Sequence, residues 1–429
     1  MPRLSGSRGR TYVCLRCNVI FGVVGILLLS VQEDSAQNDA VQVALEDVRS
    51  HVESYSPYYQ SLSERTDAES SQLEAGLKRN NPSLQYDLEY LGDDTNYELE
   101  QFLFLEQTIE RPRLYRSRSS SADYQHESLH FNKEARGREF ISNVRSQYSR
   151  LVVLQHHIDI KEKLIEKIDR LADVGASQAE AGELSALDRQ LIELNRQSLS
   201  NDLVELKVTL EQKMADWKTD MGIDPETEVE LTSEIKITDI SLPEMPDAAE
   251  LLANHPDIRA LEYSSRAAGE NIRSAELRRL PDFDVSAGYK RMNPDWNGFL
   301  VGFSIPLPVI NRNQAEIEQR RAEERQVEYD HQNRRQALEN AWQSNRNILD
   351  RYHAEISETD SDLLDMSEFG RRIINSFTEG NLSLTEALSS LEMGANGYAA
   401  YLSKVSGYYE ALGQLEFITQ NKYLEDCCN

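Results

Sequence analysis

Residues 280–314 have the sequence LPDFDVSAGYKRMNPDWNGFLVGFSIPLPVINRNQ, and this stretch decides the fold of the chain. Two runs alternate between apolar residues and polar or small residues, one on each side of the turn-rich segment MNPDWNG. This period of two predicts a β-hairpin with one apolar face. The apolar positions are Phe283, Val285, Ala287 and Tyr289, followed by Phe299, Val301, Phe303 and Ile305. Because an isolated hairpin is marginally stable in water, these strands must join others.

The same pattern occurs a second time, 199 residues earlier in the chain. Residues 56–90 align with residues 255–289 without a gap, and EAGELS at 180–185 aligns with TEGNLS at 378–383. An offset that stays constant within one residue over so long a stretch predicts a tandem repeat. Each repeat contains two strands followed by two long helices.

The earlier hairpin is less regular in its second strand. Its first strand alternates well, with apolar residues at Leu84, Tyr86, Leu88 and Tyr90. In the second strand, near residues 98–109, Phe102 and Phe104 fall out of phase with Leu103 and Leu105. This phase does not suit a simple strand with one apolar face.

The helices of both repeats carry apolar residues three and four positions apart, which is typical of coiled-coil seams. In the first long helix these residues are Ile141, Val144, Tyr148, Leu151, Ile158, Ile165 and Ile168. The expected seam of the return helix comprises Leu187, Leu191, Leu194, Val204, Val208 and Trp217. The second repeat is predicted to have one continuous helix over residues 314–377, with a stripe of Leu338, Ala341, Ile348 and Tyr352. Its return helix is expected over residues 382–419.

These elements define the predicted organisation of the chain. Repeat one covers residues 37–221, with an initial helix, a β-hairpin at 82–110 and a helical hairpin at 115–221. Repeat two covers residues 255–420, with the same order of elements, a β-hairpin at 281–307 and a helical hairpin at 314–419. An acidic crossover at 222–254, with a short strand between residues 229 and 240, joins the repeats, and residues 421–429 form a tail.

Composition and charge restrict the class of protein. The formal net charge of -27 disfavours a nucleic-acid partner, which requires a basic face, and disfavours adsorption to anionic lipid. The chain begins with a basic segment followed by the apolar run VIFGVVGILLLS at 19–30, which is too short to span a bilayer as a helix. Residues 1–36 are therefore predicted to be a secretory signal peptide, so the chain is exported.

The strands have the length of membrane-spanning strands. About ten residues cross a bilayer at a tilt, but roughly eight strands are the fewest that close a membrane barrel. An open sheet in lipid would leave its edge N–H and C=O groups unpaired. The four strands of one chain therefore require an oligomer, with eight strands from two copies or twelve from three.

The sequence resembles the TolC-like outer-membrane efflux proteins over about residues 40–420. In the second repeat the resemblance rests on HPDIRALE, LPDFDVSAGY, GFLVGFSIPLPVINRNQ and EGNLSLTEAL. In the first repeat it rests on NPSLQYDLEY, LEQTIERPRLYRSRS and AGELSALDRQ. The resemblance implies a mainly α fold with a transmembrane β-barrel, in which a homotrimer builds a 12-stranded barrel continued by a long helical coiled-coil tunnel. It also implies a location in the bacterial outer membrane with a large periplasmic part.

The resemblance further implies which surfaces carry the function. The breaks between the paired helices would be adaptor-docking tips, at Gly182 and Leu184 in repeat one and at Gly380 and Leu382 in repeat two. The partners would be a periplasmic adaptor (membrane fusion) protein and an inner-membrane transporter, with the RND type as one candidate. Asp87, Glu89, Asp282 and Asp284 would face the barrel lumen and favour cations.

Two carboxylates are candidates for a periplasmic gate. Asp188 and Glu386 each follow the glycine of a helix break by six residues. In the family, carboxylates at this position line the closed entrance of the tunnel, and a trimer would bring six of them into a narrow bore. Ser389 stands one turn beyond Glu386, where some members have a second acid. The alternative is that the acids belong to a solvated helix surface and that the glycines are helix caps.

The function expected from the resemblance is a passive outer-membrane duct of a tripartite efflux or secretion system. The alternative is an exported coiled-coil scaffold or adhesion protein, whose strands would form a soluble interaction sheet. No catalytic, cofactor-binding or metal site is predicted. His156 and His157 are adjacent and thus point to different sides of a helix, so they do not form a pair of metal ligands.

Overall fold

The computed structural model describes residues 40–92, 97–180, 185–238, 240–292, 296–359 and 365–426. The predicted signal peptide and the first predicted tip, with Gly182 and Leu184, lie outside these ranges. The first half of the described chain contains β1 (Val41–Val43), α1 (Asp47–Tyr55), α2 (Pro57–Leu77), β2 (Ser83–Gly92), β3 (Tyr97–Ile109), α3 (Pro112–Glu180) and α4 (Ala186–Met221).

The second half repeats this order after a crossover. Its elements are β4 (Val229–Leu231), α5 (Ala248–Asn254), α6 (Pro256–Leu277), β5 (Phe283–Met292), β6 (Trp296–Ser304), α7 (Gln314–Ser357), α8 (Met366–Thr378), α9 (Leu384–Thr419) and α10 (Tyr423–Asp426). No helix within the described ranges is both long enough and apolar enough to cross a membrane.

The two halves match closely in their local structure. Helices α4 and α9 both contain 36 residues, and each begins after a serine N-cap. Pro57 and Pro256 occupy the first turns of α2 and α6, where the fixed φ of proline suits a helix start and its missing N–H costs nothing. The predicted repeat is thus present in the elements themselves.

The four long strands form one antiparallel sheet in the order β2-β3-β5-β6. The two hairpins are joined through β3 and β5, with Leu103 opposite Tyr289 and Leu105 opposite Ala287. Strands β2 and β6 are the two edges of the sheet. Both predicted hairpins are present, and in the described ranges these four strands make up the whole sheet.

The continuous helix predicted over residues 314–377 is wrong. Helix α7 ends at Ser357, and α8 begins at Met366 with the Asp365 side chain accepting a hydrogen bond from the Glu368 N–H (2.9 Å). The intervening sequence, ETDSDLLD at 358–365, is rich in Asp, Ser and Thr. Such side chains bond to nearby backbone groups and favour helix ends over helix interiors, a local effect that the apolar period did not register.

The core confirms most of the seam predicted on α3. Val144, Tyr148 and Ile168 are fully buried, and Ile141, Leu151 and Ile158 are nearly so. They pack against α9, which is the most buried long helix of the chain.

The seam predicted on α4 is only partly buried within the chain. Trp217 is buried, but Leu187, Leu194, Val204 and Val208 are exposed. Ile192 and Leu199 are buried in their place. At 3.6 residues per turn these two stripes lie on nearly opposite sides of the helix. Helix α4 therefore has two apolar sides, of which one packs against other described residues and the other is exposed.

The crossover was predicted only as an irregular segment with one short strand, which proves to be β4. It pairs in parallel with β1, a strand that the sequence did not predict. Three tyrosine hydroxyls of α9 donate hydrogen bonds to backbone carbonyls elsewhere in the crossover. Tyr401 donates to Ile237 (2.6 Å), Tyr408 to Ser241 (2.8 Å) and Tyr409 to Lys236 (2.7 Å). The crossover is thus fastened to one side of the helical layer.

Candidate channel surfaces

The two faces of the sheet differ in polarity. Strand register places one set of apolar side chains on a common face: Leu84, Tyr86 and Leu88 from β2, Leu103 and Leu105 from β3, Val285, Ala287 and Tyr289 from β5, and Phe299, Val301 and Phe303 from β6. We call this set the apolar face. Phe299 and Val301 are 89% and 85% exposed. A contiguous exposed apolar surface of this kind is rare on a soluble monomer and marks contact with lipid or another protein.

The opposite face, which we call the inner face, contains three of the four acids predicted for the lumen. Asp87 lies opposite Phe102, Glu89 lies opposite Glu100, and Asp284 lies opposite Thr108. The Thr108 hydroxyl donates to Asp284 Oδ1 (2.7 Å). These acids share one side of the sheet, although their position in a lumen remains a prediction.

Asp282 has a different environment from the other three acids. It precedes β5, and its Oδ1 accepts hydrogen bonds from the backbone N–H (3.3 Å) and Nε (3.4 Å) of Arg111. Arg111 stands directly before α3. Asp282 thus connects the base of the sheet to the start of the long helix.

The register also settles the phase of the two phenylalanines. Phe102 and Phe104 lie on the inner face, whereas Leu103 and Leu105 complete the apolar face. The Phe104 ring lies over Gly288, where an added Cβ would stand 2.5 Å from Phe104 Cδ1. Glycine at this position is therefore required for the ring to fit against the strand.

The second predicted tip has well-defined cap geometry. Gly380, in the left-handed region with φ of 77°, follows α8, and its N–H bonds to the Phe377 carbonyl (3.0 Å). The Asn381 N–H bonds to the Ser376 carbonyl (2.9 Å), which completes a Schellman motif. Leu382 lies between this cap and the start of α9 and is half-buried. The expected role of Gly380 as a helix cap is confirmed, and docking at the tip stays a prediction.

The two predicted gate carboxylates occupy equivalent positions. Asp188 and Glu386 are the third residues of α4 and α9, and each completes a capping box with the serine before its helix. The Asp188 carboxylate accepts from the Ser185 N–H (2.9 Å) and hydroxyl (2.8 Å). The Glu386 carboxylate accepts from the Ser383 N–H (2.8 Å) and hydroxyl (2.7 Å).

These hydrogen bonds keep both carboxylates ionised. For Asp188, the Ser185 N–H lowers the pKa below its usual value of 3.8, and the Ser185 hydroxyl contributes to the same shift. For Glu386, the Ser383 hydroxyl and then the Ser383 N–H lower the pKa below 4.5. Both side chains are solvent-accessible at the start of a helix, where the helix dipole also favours negative charge. The motifs SALD and SLTE signal these capping boxes in the sequence, and the prediction overlooked them.

Away from the tips, the long helices α4, α3, α9 and α7 form a layer. Helix α4 packs on α3, α3 on α9, and α9 on α7, so α4 and α7 form the two edges of this layer, whereas α8, which precedes the second tip, packs on both α3 and α9. The crossover covers one side of this layer through Tyr401, Tyr408 and Tyr409. The exposed apolar stripe of α4 thus lies at an edge of the layer.

Known proteins share this arrangement of sheet and helices. Residues 248–357 match the family described as outer membrane efflux protein (OEP). The solved structure of CusC is similar with a TM-score of 0.74 at 14% sequence identity, and the match covers 87% of this chain and 91% of that chain. The chain has the fold of the TolC-like outer-membrane channels.

Two further solved structures extend this similarity. The outer membrane protein VceC from Vibrio cholerae matches with a TM-score of 0.71 at 12% identity, over 88% of this chain and 96% of that chain. The MtrE outer membrane channel of Neisseria gonorrhoeae, solved in its open state, matches with a TM-score of 0.69 at 15% identity, over 87% and 88% of the two chains. No curated protein is significantly similar in sequence. The predicted TolC-like resemblance and the mainly helical fold class are confirmed, while the closed 12-stranded barrel and the trimer remain predictions.

Proposed function

We propose that this chain is the outer-membrane component of a tripartite efflux or secretion system, in which three copies form a passive duct from the periplasm to the exterior. The observation that carries the proposal is the two-faced sheet of four strands, one face continuous and apolar, the other rich in carboxylates. A TolC-like fold with such a sheet supports a location in the outer membrane, with the apolar face against lipid. We propose no enzymatic activity.

The edges of the sheet support closure by further copies. The unpaired outer sides of β2 and β6 would each leave backbone N–H and C=O groups without partners in lipid, at several kcal/mol per group. Joining β6 of one copy to β2 of the next removes both edges, and three copies give twelve strands. The exposed Leu187, Leu194, Val204 and Val208 of α4 would then pack against the α7 edge of a neighbouring copy.

The tips and the acids next to them are candidates for two roles in such a duct, adaptor docking and the periplasmic gate. We propose that the Gly380–Leu382 tip, together with Gly182 and Leu184 in repeat one, docks a periplasmic adaptor that links the duct to an inner-membrane transporter. Asp188 and Glu386 lie one helical turn into α4 and α9, so a trimer would gather six ionised carboxylates near its entrance. That ring of negative charge would attract cations and hold them at the entrance.

Reconstitution tests the proposal against the alternative of a soluble scaffold. The full chain, expressed with its signal, is expected in the outer-membrane fraction as a species that migrates as an oligomer unless boiled. Its addition to a planar lipid bilayer should give discrete conductance steps. Recovery of a soluble monomer without conductance would reject the duct and favour the scaffold.

A further inference from the structure

Two phenylalanines lie side by side on the inner face of the sheet, among its carboxylates. Phe102 and Phe104 are nearly parallel, with ring centroids 5.9 Å apart and planes at 10°. The cross-strand neighbours in the same rows are Lys290 and Gly288. Leu300 lies next to Gly288 on the same face, which extends the patch onto β6. We call Phe102, Phe104 and Leu300 the inner apolar patch.

The surrounding residues hold this patch in place. Lys290 Nζ lies 4.6 Å from the centroid of the Phe102 ring and forms an ion pair with Glu100 (2.6 Å), whose side chain is only 10% exposed. An ammonium group over an aromatic face is the geometry of a cation–π interaction. Gly288 leaves the room that the Phe104 ring occupies. The phenylalanines thus belong to a packed arrangement and are not chance substitutions on a polar surface.

The charge around the patch is strongly negative. The inner face carries the carboxylates of Asp87, Glu89, Glu100, Glu106 and Asp284, and Lys290 is its only cation among the residues that the structure describes. Asp87 accepts hydrogen bonds from the neutral Gln85 amide (2.9 Å), and Asp284 accepts from the neutral Thr108 hydroxyl. Because these donors are uncharged, they do not neutralise the negative charge of the two carboxylates.

We propose that the inner apolar patch is a transit site for organic cations with an aromatic body. This inference rests on the proposed function, because the inner face lines a lumen only if the chain forms a duct. Aromatic rings bind cations through their electron-rich faces and bind aromatic groups by stacking. The carboxylates around the patch attract positive charge and repel anions. Three copies would place six phenylalanines and their carboxylates around one bore.

Block of single channels in planar bilayers tests the proposal. The probes are tetraphenylphosphonium, tetrabutylammonium, which has the same charge without rings, and tetraphenylborate, which has the rings with the opposite charge. The wild-type duct should be blocked longest by tetraphenylphosphonium. Phe102→Leu with Phe104→Leu keeps the patch apolar but removes both rings, and should shorten that block about tenfold while leaving the weak tetrabutylammonium block unchanged.

The matched control is Phe303→Leu, the same substitution on the apolar face, which should leave every block time at its wild-type value. If the double variant yields no channels, Phe104→Leu alone keeps the Lys290–Phe102 contact and should still shorten the tetraphenylphosphonium block. An unchanged tetraphenylphosphonium block time in the double variant or in Phe104→Leu, or equal block times for the three probes, would overturn the transit site. Wild-type protein without any conductance would instead overturn the proposed duct.

Discussion

Two glycines in the same backbone conformation offer a sharp test of the packing. Gly222 ends α4 with φ of 76° and Gly380 follows α8 with φ of 77°, so alanine at either position has the same unfavourable conformation, which costs about 1–2 kcal/mol. Their surroundings differ. A Cβ at Gly222 would stand 2.3 Å from the Tyr55 carbonyl oxygen and 3.1 Å from Pro57 Cδ, whereas nothing lies within 4 Å of a Cβ at Gly380.

Gly222→Ala should therefore cost more than Gly380→Ala. The overlap at Gly222 is with backbone, which cannot rotate away, and should add about 1–3 kcal/mol. Thermal unfolding of the detergent-solubilised protein, followed by circular dichroism at fixed concentration, measures both variants. At about 1 °C per kcal/mol for a chain of this size, Gly222→Ala should lower the midpoint by about 2–5 °C and Gly380→Ala by about 1–2 °C. Equal shifts, or a larger shift for Gly380→Ala, would refute the packing of α1 and α2 against the end of α4.

Three further predictions concern the gate and the crossover. Asp188→Asn with Glu386→Gln should raise single-channel conductance by relieving the carboxylate ring's hold on cations at the entrance, and unchanged conductance would remove these acids from the gate. Folding lowers the pKa of both acids, so their capping contribution to stability is complete above their usual pKa values and is lost as pH falls through the lower pKa values of the folded state. The difference in thermal midpoint between wild type and this variant should therefore stay constant from about pH 7 to 5 and shrink below about pH 4. A constant difference down to about pH 2 would contradict that linkage. Tyr409→Phe removes the hydrogen bond to the Lys236 carbonyl and should cost about 1 kcal/mol, measured as a lower thermal midpoint, whereas Tyr329→Phe on the exposed surface of α7 should cost nothing measurable.

The strands could be predicted from the sequence because alternation has a period of two that few other patterns imitate. The predicted hairpins at 82–110 and 281–307 enclose the observed strands. The phase of Phe102 and Phe104 could not be assigned in this way, since both faces of β3 carry large apolar residues. Only the pairing of β3 with β5, which involves residues far apart in the chain, assigns the rings to the inner face.

For the helices, the sequence predicted their positions but not all of their contacts. Their existence and the repeat offset followed from spacing, but most of the apolar stripe predicted on α4 is exposed within the chain. Leu187, Leu194, Val204 and Val208 have a helical period, yet periodicity does not say whether the partner lies in the same chain or in another. After the break that follows Ser357, Asp365 caps the start of the next helix, a local signal that the longer apolar pattern concealed.

The candidate site residues were predicted more from the family resemblance than from chemical motifs in the sequence. Asp188 and Glu386 were selected by their distance from a glycine, and the structure adds that serine N-caps hold both in the same geometry. The tyrosines that fasten the crossover carried no sequence signal, because a tyrosine on a buried helix face has the same period whether or not its hydroxyl reaches a carbonyl.

The number of copies in the assembly tests the central claim most directly. Multi-angle light scattering of the purified, detergent-solubilised protein, with the detergent mass subtracted, gives the mass of the polypeptide assembly. A mass of three chains is predicted, because three copies of the four-stranded sheet supply the twelve strands of the proposed barrel. A single chain, or a stable assembly of two chains with eight strands, would contradict the account.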